Sequence, residues 1–101
     1  MAKKMADKVE VHNVNVPGHV TNVDAAKYHA MRGALLAVLP TQEPGMVVKD
    51  ALAALKPKLP QDLFPEGKTS GWWQKTVQLD LEAKGLVKRL PTKPMRLIKV
   101  P

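Results

Sequence analysis

Gln74, Lys75 and Gln78 carry the side chains in this chain best suited to reading a nucleic-acid base edge. A glutamine amide pairs bidentately with adenine, and a lysine reaches guanine or phosphate. Five cations follow in the next stretch: Lys88, Arg89, Lys93, Arg96 and Lys99, with no acid among residues 86–101. A local excess of this kind is the footprint expected for a phosphate-bearing partner. A solvated strand edge guarded against aggregation has the same composition. Lys68, Thr69 and Ser70 precede the start of a helix, where free backbone amides can hold a phosphate, and Ser70 equally suits a plain N-cap. Trp72 and Trp73 supply half of the chain's four aromatics. They read as packing residues or, if one indole is exposed, as an interface anchor.

Other chemistry finds no constellation. His12, His19 and His29 lack metal-ligand spacing, and the chain has no HExxH, Gly-rich phosphate loop or G-x-S-x-G elbow. Asp80 and Glu82 stand two apart on a helix and point away from each other, which makes a poor acid–base pair. Asp80 lies beside the apolar face and is expected to find a Lys, an Arg or a backbone amide. The reading is therefore a non-enzyme without cofactor, metal or evident small-molecule ligand.

Composition narrows the setting. One domain is expected from 101 residues. Aromatics are only 4% of the chain, so the core must rest on Leu, Val, Ala and Met. No apolar run spans a bilayer and the lysine-bearing N-terminus lacks a signal h-region. With no cysteine, disulfides and thiolate chemistry are excluded, and a cytoplasmic location is expected. The net charge is +7, and most of it falls on the last sixteen residues.

The elements that must position these residues follow from patterning. Residues 1–8 are expected to be mobile. Residues 9–23 alternate partly at Val9, Val11, Val14 and Val16 before Pro17-Gly18, the pattern of an edge strand or extended arm. The predicted division is a tail and arm over 1–23 and a folded domain over 24–101. Asp24 is a good N-cap, Val23 can staple onto Tyr28, and Tyr28, Met31, Leu35, Val38 and Leu39 form one stripe before Pro40. Met46-Val47 reads as a very short strand. Val47, Val48, Ala51, Leu52 and Leu55 form a second helical stripe, without an obvious cap, stopped at Pro57. Leu63 and Phe64 are expected to anchor the proline-rich 57–69 segment, on a short helical turn.

The third helix is predicted from Ser70 as N-cap to Lys84, with Gly85 left-handed and Leu86 folding back on Leu81. At 100° per residue, Trp72, Thr76, Leu79 and Ala83 share the face expected to pack inward, with Trp73, Val77 and Asp80 beside it. Gln74, Lys75, Gln78 and Glu82 share the face expected to meet solvent. LVKRL and MRLIKV read as antiparallel strands around PTKP. The fold class is mainly α with a small antiparallel hairpin.

Leu81, Glu82, Gly85, Leu86, Val87 and Arg89 resemble the helix-to-wing junction of MarR-like winged helix-turn-helix regulators. The blocks VDAAKYHAMR, LFPEG and GWWQKTVQLDLEAKG also resemble a family of small bacterial proteins with no established function. The first resemblance implies that helix 70–84 enters the major groove and that residues 86–100 form a wing on the backbone. Two features depart from that pattern: Lys75 and Lys84 on the helix are offset by Asp80 and Glu82, and the wing tip is four residues long.

The resulting expectation is a small winged-helix protein that binds double-stranded DNA. Lys68, Ser70, Gln74, Lys75, Gln78, Lys88, Arg89, Lys93 and Arg96 are its contacts. The alternative is an interaction or dimerisation module that keeps the fold without binding DNA, with Trp72 or Trp73 as anchor. RNA binding by the basic hairpin is a third reading. An acidic residue between the hairpin and the Gln74–Gln78 face would favour the alternative.

Overall fold

The computed structural model describes residues 8–16 and 18–100. The expected mobile tail of residues 1–8 lies outside them except for Lys8, which instead begins a strand, and the turn role of Pro17 also lies outside them. The elements run β1 (Lys8–His12), β2 (Val20–Asp24), α1 (Ala25–Val38), β3 (Met46–Val47), α2 (Val48–Leu55), α3 (Ser70–Ala83), β4 (Val87–Leu90) and β5 (Arg96–Lys99). Two short 3-10 turns, Lys56–Lys58 and Pro65–Gly67, lie between α2 and α3. The fold is thus three helices with two small antiparallel sheets, a mixed architecture rather than a mainly helical one.

The first departure from the sequence reading is at the N-terminus. Of the two readings given for residues 9–23, the edge strand holds, in Lys8–His12 and Val20–Asp24, and the extended arm does not. β1 and β2 pair antiparallel, with Val9 opposite Val23 and Val11 opposite Thr21. Successive side chains in a strand point to opposite faces, so Val9, Val11, Thr21 and Val23 share one face. Val11 and Val23 join the common core with α1, α2 and α3. The described part of 1–23 therefore packs as part of the domain, because its alternating valines have an apolar face to bury.

α1 begins where its cap requires. The Asp24 carboxylate accepts from the Lys27 N–H at 2.9 Å. Tyr28, Met31 and Leu35 are buried along one stripe, and Leu39 closes the helix through its N–H to the Leu35 carbonyl. α2 has no side-chain cap. Its first N–H, at Val48, instead donates to the Met95 carbonyl at 3.2 Å. That bond ties the helix start to the C-terminal hairpin and explains how a helix without a capping residue can start there.

The C-terminal strands form more than a hairpin. β3 joins β5, giving sheet order β3-β5-β4. Gly45, just before β3, has φ +78°, and a Cβ there would sit 2.8 Å from the Leu97 carbonyl oxygen. Only glycine lets the chain approach β5 this closely. The Lys99 N–H to Pro40 carbonyl bond (2.8 Å) and the Val100 N–H to Leu86 carbonyl bond (2.9 Å) fasten the end of the chain to both flanks.

Phe64 is fully buried, edge-on to Trp73 with ring centroids 6.4 Å apart, while Leu63 is half-buried. α3 ends as the sequence implies. The Gly85 N–H donates to the Glu82 carbonyl and the Leu86 N–H to the Leu81 carbonyl, the paired bonds of a left-handed glycine stop. Among the described residues, no helix is long and apolar enough to cross a membrane.

Candidate functional site

The inward face of α3 is set by Trp73, Val77 and Leu81, all buried at four-residue spacing. That axis reverses the predicted orientation. Gln74 and Gln78, expected to face solvent, are 4% and 3% exposed. Trp72, expected inside, is 58% exposed, with Thr76 and Leu79 half-buried and Ala83 exposed. The physical reason is packing: the Trp73 line meets Phe64 and the α1 core, and it leaves the Trp72 line pointing outward.

The buried amides are tolerated because they are satisfied. Gln74 Nε2 donates to Gln78 Oε1 at 2.7 Å, and Gln78 Nε2 donates to Glu82 Oε2 at 2.8 Å. Arg89, on β4, closes the series with Nε to Glu82 Oε1 at 2.5 Å and Nη2 to Glu82 Oε2 at 3.0 Å. Hydrogen bonding to Glu82 raises the Arg89 pKa further, against a smaller opposing effect of burial. Two of the predicted base readers and one of the predicted phosphate contacts thus bond within the protein. The four-residue spacing of Gln74, Gln78 and Glu82 was the signal in the sequence, since such neighbours touch along a helix. Asn15, in the β1–β2 loop, borders the same cleft as Gln74, Gln78 and Arg89, and Val14 borders a depression with Glu82 and Arg89.

Ser70 is corrected as well. Thr69 is the N-cap, in the left-handed region at φ 63°, with no side-chain capping bond. Its hydroxyl donates to the Lys68 carbonyl, and Ser70 is buried at the first helical position. Lys68 and Lys75 are exposed.

Asp80 fulfils its expectation and exceeds it. Its fully buried carboxylate accepts from the His12 N–H (2.8 Å), the Tyr28 hydroxyl (2.5 Å) and Lys84 Nζ (2.9 Å). One side chain therefore joins α3 to β1 and α1. Burial raises the Tyr28 pKa, and Asp80 adds to the shift. Burial lowers that of Lys84, but its contacts with Asp80 outweigh this and leave it raised. Lys84 also lies over the Tyr28 ring, 5.5 Å from its centroid.

The strand register, which the sequence left open, separates the basic residues. Lys88 lies opposite Ile98 and Leu90 opposite Arg96, so Lys88 and Arg96 share one face. Arg89 lies opposite Leu97 and Val87 opposite Lys99, on the other face. Arg96 is half-buried, its Nη1 3.4 Å from the Gly45 carbonyl. Lys88 and Lys93 are exposed. Glu82 stands between this hairpin and the Gln74–Gln78 line.

The outward face of α3 borders an open groove. Trp72, Thr76 and Leu79 line it from α3, and Val11, His12, Asn13, His19, Thr21 and Val23 line it from the first hairpin. Trp73, the other proposed anchor, is 7% exposed and belongs to the core. Among the described residues, no three His, Cys, Asp or Glu side chains are grouped to hold a metal.

A model of the family of unknown function DUF6958 matches residues 8–97. No curated protein and no solved structure matches the chain.

Proposed function

We propose that this chain, which belongs to the DUF6958 family of unknown function and so inherits no activity from it, is a protein-interaction module on a winged-helix frame. The order helix, strand, two helices and two strands from residue 24 onward, with the first strand beside the last, supports the winged-helix reading. The observation that carries the interaction reading is Trp72. Its indole is 58% exposed beside a groove with apolar walls, where a large aromatic anchor would gain most from being covered. The occupied amides of Gln74 and Gln78 and the Glu82–Arg89 pair speak against a base-reading helix.

Fluorescence tests the reading, with Trp72→Phe as the control that separates the two indoles, whose ring centroids lie 5.1 Å apart. The dispersed protein should emit with a red-shifted component that acrylamide quenches and that Trp72→Phe removes. Covering the groove should shift that component to the blue. Emission that is wholly blue and unquenched in the dispersed protein overturns the reading.

DNA binding is retained as a second reading on one observation: Lys68, Lys75, Lys88 and Lys93 are all exposed. In that reading the contacts go to phosphates and carry little sequence preference. Binding then weakens steeply with salt. Replacing Lys75, Lys88 and Lys93 together by Ala should flatten the salt slope by about three. An unchanged slope in the folded triple variant removes the wing and helix contacts from consideration.

A further inference from the structure

The sheet edges of this protein are unequally protected. β4 carries Lys88 and Arg89 and leads into Pro91, the residue types that discourage a further strand from pairing. β3 is two residues long. β1 is held to α3 through the His12 N–H and Asp80. β2 has none of these devices. It pairs only with β1 among the described elements. Val20, Thr21 and Asn22 are exposed, and no charge appears before Asp24. Trp72 lines the same groove as Thr21 and Val23 of this strand. An open strand edge and an exposed indole therefore adjoin, and one occupant can cover both.

We propose that the occupant is a second copy of this chain, paired antiparallel through β2 about a two-fold axis at Asn22. This deepens the interaction reading and rests on it. Centring on Asn22 is the arrangement that uses all five strand residues. Thr21 then faces Val23 of the second copy, and Val20 faces its Asp24. Directly opposed residues share a face in an antiparallel sheet. The second copy therefore extends the Thr21–Val23 face over Trp72, and the same burial is repeated on the other side. The charge distribution permits this despite the net charge of +7. Five of the cations lie in residues 86–101, two of the remaining charges are consumed in the Lys84–Asp80 pair, and no like charges meet in the pairing. An isologous contact of this type closes on itself and leaves no free edge for further growth.

Asn22 gives a sharp test, because its side chain is exposed and sits on the axis. Sedimentation velocity over a micromolar to near-millimolar series, at physiological ionic strength, should show the wild type as a concentration-dependent dimer. Asn22→Lys and Asn22→Glu each place like charges face to face and should each weaken self-association by roughly tenfold, with unchanged circular dichroism. Mixing the two should restore the dimer. Trp72→Ala should also weaken it. A wild type that stays monomeric throughout, or an Asn22→Lys variant that associates like wild type, overturns the proposal. If the monomer still shows a quenchable, red-shifted Trp72, only the second copy is ruled out as occupant. If its emission is wholly blue, the interaction reading fails with it.

Discussion

The first hairpin pairs five residues with five and the last pairs four with four, yet the two treat their surroundings in opposite ways. β4–β5 is basic, flanked on one side by β3, and tied by Arg89 to Glu82 on α3. β1–β2 is nearly neutral, tied by His12 to Asp80 on the same helix, and left open along β2. Charge draws attention to the last hairpin as the binding element. Packing draws it to the first, because the open edge and the open indole both lie there. A charged residue in a sequence is not yet an available charge. Arg89 is held by Glu82 and Arg96 is half-buried, so the available cations are fewer than the composition suggests.

The largest test of this contrast is the anchor of the first hairpin. Asp80→Ala leaves the His12 N–H, the Tyr28 hydroxyl and Lys84 without their common acceptor. Lys84 is 40% exposed and can turn to water, but the buried Tyr28 hydroxyl and the His12 N–H each lose an acceptor at about 1–3 kcal/mol, so urea denaturation should show a loss of that order or more. Hydrogen exchange should show β1 released from α3. A loss below about 1 kcal/mol would mean that the valines alone hold the hairpin.

The last hairpin has its own vulnerable point. Gly45→Ala meets both a left-handed φ and a backbone oxygen at 2.8 Å, and should cost about 1–3 kcal/mol. The loss should fall on β3 and β5, with the β1–β2 amides unaffected. Protection lost equally in both hairpins would show that the two sheets unfold as a unit.

Alkaline titration addresses the first hairpin's anchor by another route. Tyr28 and Lys84 both have pKa values raised from 10.0 and 10.5 respectively. A raised folded value means that the folded state keeps its proton longer than the unfolded one. The stabilisation is therefore complete below about pH 10 and is lost as pH rises through the folded values. Thermal melts should decline over that alkaline range, and Tyr28→Phe should reduce the decline. A decline that starts near neutrality would assign it to other groups.

The smallest effect concerns the charge of the last hairpin. Glu82→Gln removes the partner of Arg89 while keeping an amide for Gln78. In the phosphate-binding reading the released guanidinium should steepen the salt dependence of duplex binding by about one unit. In the interaction reading it should leave self-association unchanged, since Glu82 lies away from β2.

Several elements were legible without coordinates because they depend on local chemistry. The Asp24 cap, the Gly85 stop with Leu86 and the two C-terminal strands around their turn all follow from neighbours within a few residues. Asp80 was also legible as a residue in need of partners. The orientation of α3 was not. Its helical wheel contains two credible inward faces, one through Trp72 and Leu79 and one through Trp73, Val77 and Leu81. Sequence periodicity gives the stripes but not which stripe has a core to meet.

The sequence by itself determined where α1 begins and where α3 stops, where the positive charge lies, and that no thiol chemistry is possible. These are properties of residue type and short-range geometry. The tertiary structure alone decided which indole is exposed, that Gln74 and Gln78 are spent on each other and on Glu82, and that β1 and β2 pair into a hairpin left open along β2. Those outcomes depend on contacts between residues far apart in the chain, such as His12 with Asp80, 68 positions away. Burial and hydrogen-bond satisfaction are settled there, and they govern which of the encoded groups remain available to a partner.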